Sequence, residues 1–548
     1  MTKLTIILTS LLLSATSMLN AQDKSRMEGL RDVNGVRDLT ADSLTKANTA
    51  RPVSGSSRKG NNPVLFLVGN STMRNGTLGN GSNGQWGWGY FEHEFFDENK
   101  ITVENHALGG TSPRTFYRDL WQPVLKGIQP GDYVILELGH NDNGPVDSGR
   151  ARASLKGGLS HDSLMVTVKE TGKEEMVYTF GGYIRKFVSD IRSHHAIPIL
   201  LTLTPRNDYE PDDPTKIQRK LTTFTPWIKA LAEELNTPFI DLNDISALKL
   251  EKYGKWKTNY HFFGDKIHSS EFGAKMNASS CAEGIEACTH PDVAKLKTYL
   301  KTEMIHPQRI DQGRQKGKPV VFTIGDSTMK NTDKDEDGMW GWGAVANTVF
   351  NEKKCTVVNA GRAGRSTRTF LYEGLWDKVY NSLEPGDYVL IQFGHNDIGG
   401  IDRDKECGVI ASADDTCHVY RMKSNDKFQV IYSFGWYLKK FIQDVREKGA
   451  TPILLSLTPR NEWPNGKIER RNDSYGKWYR QVAEETGVEF IDVHNITADA
   501  LDKKGQEKAR AYYNHDHTHT SKAGAMLNAK SVAKGLKKAK SPLAKYLK

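Results

Sequence analysis

Two serines close near-identical apolar runs: Ser71 in VLFLVGNSTM (64–73) and Ser327 in VVFTIGDSTM (320–329). Far downstream of each stands a histidine with an aspartate three positions before it, Asp265 and His268 in one case, Asp516 and His519 in the other. Hydroxyl, imidazole and carboxylate are the parts of a nucleophilic triad. The histidine takes the serine proton, while the acid fixes the imidazole tautomer and stabilises its cation. Between them lie Gly110 in NHALGGTSPRTF and Gly364 in NAGRAGRSTRTF, then Asn141 and Asn396 in two GHND turns. A glycine backbone N–H and an asparagine amide, added to the serine N–H, are donors suited to a developing oxyanion, each typically worth ~3–4 kcal/mol of barrier. Taken singly these residues have bland roles, since a serine after a strand caps a helix and Asn-Asp marks a turn. Their recurrence in the same order, in two copies whose intervening segments have diverged, favours the triad.

The elements that must position these residues are also written twice. Ser71 and Ser327 are 256 residues apart, Asn141 and Asn396 are 255 apart, and His268 and His519 are 251 apart. PGDYVILELGHND pairs with PGDYVLIQFGHND, and PILLTLTPRN with PILLSLTPRN. A period this long is a duplicated domain, not a solenoid of small units. In copy one the runs VLFLVG, YVILELG, PILLTLTP and PFIDL alternate with helical patterns such as FGGYIRKFVSDIRSH. Continuous apolar strands alternating with amphipathic helices predict a parallel sheet covered on both faces. The fold class is therefore α/β: two tandem three-layer α/β/α sandwiches. In such sheets chemistry lies beyond the carboxyl ends of the strands, where the motifs fall. No Gly-x-Ser-x-Gly elbow surrounds either serine, which disfavours the α/β-hydrolase fold.

Bulk properties narrow the class. A chain of 548 residues, 37% hydrophobic and 26% charged, is globular and too long for one ordinary domain. The net charge of +9 invites a nucleic-acid partner, but seven lysines and no acid in residues 530–548 supply most of it. Lysines so spaced are the solvated face of a terminal helix, and no nucleic acid is expected. MTKLTIILTSLLLSATSMLNAQ joins a lysine, an apolar run and a small residue, Ala21, as in a cleaved secretory signal. Export to the periplasm or the exterior is expected. No other run approaches the ~18 apolar residues of a membrane span. In an oxidising compartment the simplest cysteine pairing is Cys281 with Cys288 and Cys407 with Cys417, leaving Cys355 as a buried apolar residue. No Cys, His and carboxylate cluster has metal spacing, so neither metal nor other cofactor is expected.

Gly-Asp-Ser at the first strand, Gly-x-Asn-Asp at the third and a late Asp-x-x-His resemble the blocks of the SGNH (GDSL-type) hydrolase superfamily. The wording GDSTM, WGWG, GRSTRTF, GHND and DHTHTSKAG is similar to the rhamnogalacturonan acetylesterases, carbohydrate esterase family twelve. The likeness runs from about Pro63 to Ser279 and from about Pro319 to Gly535. It implies a flavodoxin-like SGNH fold and a secreted, serine-dependent esterase that removes acetyl groups from pectic polysaccharide without a cofactor. The roles it implies are triads of Ser71, Asp265, His268 and Ser327, Asp516, His519, with oxyanion donors Gly110, Asn141, Gly364 and Asn396. The expected order is a signal peptide (1–21), a polar segment (22–62), one hydrolase domain (63–300), a linker (301–318) and a second hydrolase domain (319–548).

Several readings stay open. The ester could lie on acetylxylan or a bacterial wall glycan, or domain one could be a glycan-binding pseudoenzyme serving domain two. The WGWG tryptophans (86–89, 340–343) are either faces for a sugar ring or core. Arg114, Arg368, Arg206 and Arg460 either meet a uronate or pair structurally, and His140 and His395 either touch substrate or, as expected, make a structural hydrogen bond. Copy one carries Asn70 where copy two carries Asp326. At that position the side chain is expected to brace the loop by accepting backbone hydrogen bonds, and the change removes a charge beside the nucleophile.

Overall fold

The computed structural model describes residues 51–74, 81–219, 221–306, 309–310, 313–330 and 338–548. The expected signal peptide lies outside the described residues. The chain forms two compact units, the first ending at His306. In unit one the strands β1 (Val64–Gly69), β2 (Thr102–Asn105), β3 (Tyr133–Glu137), β6 (Ile197–Leu201) and β7 (Phe239–Ile240) make one sheet in the order β2-β1-β3-β6-β7. Every pairing in it is parallel. Unit two repeats the order with β9 (Thr356–Asn359), β8 (Val320–Gly325), β10 (Tyr388–Gln392), β13 (Thr451–Leu455) and β14 (Glu489–Ile491). The order reverses between the first and third strands, so the crevice beyond their carboxyl ends is the topological switch point.

Strand alternation divides the core into two layers. Leu65, Leu67 and Ile135 face one side with Ala274, Ala278, Cys281 and Ile285 of the helix Glu271–Ala287. Val64, Phe66, Val68, Val134 and Leu136 face the other with Phe180, Ile184, Phe187 and Ile191 of the helix Phe180–Ser193. The period of two in the strands and the 3.6-residue period in the helices thus meet in the same clusters. The Thr179 side chain caps the second helix by accepting from Gly182 N. β1 and β3 are buried along their whole length, as strands covered on both faces must be.

Residues ahead of each first strand are tied down. Arg58 forms an ion pair with Asp132, whose carboxylate also accepts from Val64 N at the start of β1. Arg314 and Asp387 repeat this, with Asp387 accepting from Val320 N.

Two features differ from the sequence reading. An antiparallel hairpin, β4 (Ser163–Thr167) with β5 (Glu174–Tyr178), is inserted after β3, and β11 (Cys417–Arg421) with β12 (Phe428–Tyr432) repeats it. The first hairpin carries no long apolar run and exposes Leu164, Met165 and Met176, whereas the second buries Val430, Ile431 and Tyr432. The expected disulfides do not form, and all five cysteines are thiols. Cys281 and Cys288 are seven positions apart along the helix Glu271–Ala287 and its cap. At 1.5 Å per residue that separates them by about 10 Å, beyond the Cα span of a disulfide. Cys407 turns inward instead, its Sγ 3.2 Å from the Asn396 carbonyl. Cys355 is buried, as expected.

Candidate active sites

Each serine follows the first strand in a tight turn. In unit one Asn70 Oδ1 accepts from Thr72 N at 3.0 Å and from the Thr72 hydroxyl at 3.0 Å. Asp326 Oδ1 takes the same two bonds from Thr328, at 2.9 and 2.7 Å. The brace expected of this position is present in both copies. Asp326 is buried, and burial pushes its carboxyl up, a shift partly opposed by the Thr328 bonds and by the nearby His519.

The WGWG segments hold this turn to the histidine loop. Trp88 N donates to Thr72 O and Gly89 N to Met73 O, while Trp86 N donates to Ser269 O, next to His268. Trp340 N likewise donates to Thr520 O, next to His519. The glycines are required by close approach: a Cβ at Gly87 would lie 1.8 Å from the Arg74 carbonyl oxygen. Trp86, Trp88 and Trp342 are core residues, which answers the open question about a sugar-binding face for these three. Trp340 is half-buried.

The catalytic candidates meet as a chain. Ser71 Oγ lies 2.9 Å from His268 Nε2, and His268 Nδ1 lies 2.7 Å from Asp265 Oδ2. In unit two Ser327 Oγ is 2.8 Å from His519 Nε2, and His519 Nδ1 is 2.6 Å from Asp516 Oδ2. Asp265 Oδ1 accepts from the backbone N–H of Ile267 and His268, and Asp516 Oδ1 from Thr518 and His519. These bonds fix each carboxylate so that the imidazole presents a bare Nε2 to the serine. Burial alone would raise Asp516, but the His519 ring and the backbone donors push it down to about 2. Asp265 is lowered too, its burial outweighed by the His268 side chain and backbone.

The oxyanion candidates border the same turn. Leu108 N and the Thr111 hydroxyl both bond Gly69 O, so the loop carrying Gly110 is stitched to the end of β1. Asn141 Nδ2 donates to Thr111 O at 3.2 Å, and Asn396 Nδ2 donates to Arg365 O at 3.1 Å. Gly110 and Gly364 have φ of +81° and +76°, a left-handed conformation that favours glycine. Arg152 was not anticipated: its Nη1 donates to Asn141 Oδ1 at 3.1 Å, fixing which way the amide faces. A lone arginine in a loop gave no signal at sequence level.

Arg114 is fully buried and bonds Glu175 of β5 and the carbonyls of Val146 and Ala153. Arg368 bonds the carbonyls of Ile401 and Gly408. Both are structural clamps on the segments after the third strands, not uronate ligands. Arg206 and Arg460 are half-buried. His140 and His395 bond Thr204 and Thr458, the structural role expected of them. Burial next to Arg460 pushes His395 well down, so it stays neutral. No group of three or more His, Cys, Asp or Glu with metal-binding geometry occurs among the described residues.

Comparison with known proteins agrees with the motifs. The model of the GDSL-like Lipase/Acylhydrolase family matches residues 67–276 and, separately, 323–527. A rhamnogalacturonan acetylesterase of Emericella nidulans is 30% identical over 222 residues, 40% of this chain and 84% of that protein. The rhamnogalacturonan acetylesterase RhgT of Bacillus subtilis is 32% identical over 246 residues, 42% of this chain and 95% of that protein. Among solved structures, the acetylxylan esterase Axe2 of Geobacillus stearothermophilus is 22% identical, with a TM-score of 0.30, over 40% of this chain and 94% of that one. Matched in both of its units, the chain belongs to the GDSL-like lipase/acylhydrolase family and is a serine-type carboxylic ester hydrolase.

Proposed function

We propose that each unit removes O-acetyl groups from a carbohydrate by a Ser-His-Asp acyl-enzyme route, with acetylated rhamnogalacturonan as the substrate. The observation that carries this reading is the Ser–His–Asp hydrogen-bond chain, closed separately in both units. Ser71 Oγ attacks the acetyl carbonyl carbon while His268 Nε2 accepts its proton, and Asp265 stabilises the imidazolium. The carbonyl oxygen becomes an oxyanion received by the N–H groups of Ser71 and Gly110 and by Asn141 Nδ2. Collapse breaks the ester bond, and the departing sugar oxygen takes the proton from His268. Water then gives a proton to His268 and attacks the acetyl-serine, releasing acetate and restoring Ser71. Ser327, His519, Asp516, Gly364 and Asn396 take the same parts in unit two. The names of the two relatives about 30% identical to the chain support the acetyl group and the glycan. The apolar run ending at Ala21 supports export to the periplasm or exterior, where such a polymer is met.

The test uses the full chain with Ser71→Ala, Ser327→Ala and both, measuring acetate released from acetylated rhamnogalacturonan, acetylxylan and a bacterial wall glycan. Each single variant keeps the turnover of the other unit, and the double variant falls by at least about a thousandfold. A double variant retaining a tenth of the parent activity refutes the nucleophiles. Unchanged turnover in Ser71→Ala makes unit one a binding module, and acetate from xylan alone replaces the substrate.

A further inference from the structure

The substitution of Asn70 for Asp326 does not stand alone. Beneath the nucleophile turn, the last residue of the third strand also differs: Glu137 in unit one, Gln392 in unit two. All four side chains are buried. Each unit therefore keeps one acid in this pair of positions and changes which position carries it.

The hydrogen bonds show why the two positions are linked. In unit one the Thr72 hydroxyl, next to Ser71, is 3.0 Å from Asn70 Oδ1 and 3.1 and 3.2 Å from the two oxygens of Glu137. One hydroxyl has one proton to donate, so Asn70 and Glu137 share a single donor. Glu137 is otherwise held by Trp88 Nε1 and Thr204 N, each at 3.1 Å. In unit two Thr328 turns to Asp326 at 2.7 Å, and Gln392 is occupied by Trp342 Nε1 and by the Ser456 carbonyl. The Asn70 amide nitrogen, where Asp326 has its second oxygen, is buried without a hydrogen-bond partner. Asn70 is therefore a poorer fit to its own pocket than an aspartate, and Glu137 is what makes an aspartate there costly. Two carboxylates sharing one hydroxyl in a buried site cannot both ionise.

We propose that the two linked positions at each nucleophile turn hold one acid between them, Glu137 in unit one and Asp326 in unit two, and that Glu137 positions Ser71 through Thr72. This rests on Ser71 being the nucleophile of unit one. The groups facing Glu137 are Thr72, Trp88, Thr204, the His140 ring with Nε2 at 3.7 Å, and the more distant Cys281 thiol.

The test is a double-mutant cycle in the full chain bearing Ser327→Ala, so that hydrolysis of 4-nitrophenyl acetate reports unit one. Ser71→Ala added to that background sets the zero, and a background already at zero rejects unit one as an enzyme, separately from the present proposal. Asn70→Asp and Glu137→Gln each lower kcat by about tenfold with little change in KM. The pair together, which recreates the unit-two arrangement, returns kcat to within about threefold of the background, a non-additivity expected only of coupled residues. Losses that simply multiply, with no recovery, overturn the proposal. If Asn70→Asp does not fold, the reciprocal cycle of Asp326→Asn and Gln392→Glu in a Ser71→Ala chain reads the same coupling and decides it by the same criterion.

Discussion

Glu92 is a second acid peculiar to unit one, and the pH dependence of stability exposes it. Its side chain is fully buried, neither oxygen makes a hydrogen bond, and the nearby Cys281 thiol offsets little of the penalty. Burial pushes the carboxyl up to about 8, from an ordinary value of 4.5. The folded state thus keeps a proton that the unfolded chain releases. Its stability is fully present below about pH 4.5 and falls by about 1.4 kcal/mol per pH unit until the folded group ionises near pH 8. Across that window the loss is on the order of 5 kcal/mol, a large share of a domain's stability. Glu92→Gln keeps the shape and removes the titration. Urea unfolding of the full chain, followed by tryptophan fluorescence, should give similar unit-one midpoints for parent and variant at pH 5. At pH 8.5 the variant should be the more stable by several kcal/mol. The transition of unit two, with Ala346 at the equivalent place, should not respond. Glu137 is also pushed up by burial, to about 7, but it is common to both proteins and cancels in the difference. Parallel curves for parent and variant from pH 5 to 8.5 would refute the burial argument.

Further outcomes follow from the active-site geometry. Asp516, pushed down to about 2, contributes stability that is fully present above its ordinary pKa of 3.8 and lost as pH falls through about 2, so Asp516 itself should add no limb to unit-two activity between pH 4 and 6. Asp516→Asn should cost at least about a hundredfold in kcat at pH 7, because the imidazole tautomer is no longer fixed; a loss under threefold would remove Asp516 from the triad. Arg152→Gln should lower unit-one kcat by roughly fivefold in a Ser327→Ala chain, the worth of one orienting hydrogen bond. Cys407 stands at the equivalent place in unit two and bonds the Asn396 backbone instead. Cys407→Ala should therefore change unit-two turnover less than Arg152→Gln changes unit one, as initial rates with the other unit silenced would show.

The sequence by itself determined the duplication, the parallel sheets and the membership of each Ser–His–Asp set. β1 and β3 are unbroken apolar runs and Asp265 reaches His268 within three residues, so composition and short spacing specify them, while Ser71, 197 residues from His268, was grouped with it because the motifs recur in the same order in both copies. The first hairpin was not legible, because its strands leave Leu164, Met165 and Met176 exposed and carry no apolar period. The pairing of Cys281 with Cys288 read from proximity failed because a helix separates residues seven apart by two turns, a distance that the linear sequence does not express. What the WGWG segment does was decided by tertiary structure, which lays its backbone between the nucleophile turn and the histidine loop. The link of Asn70 to Glu137 was decided there too. They are 67 residues apart in the chain and meet through one threonine hydroxyl only because β1 and β3 are neighbours in register, with Gly69 opposite Glu137. Which buried groups must share a proton is a property of packing, and packing joins residues whose separation along the chain carries no information about their distance.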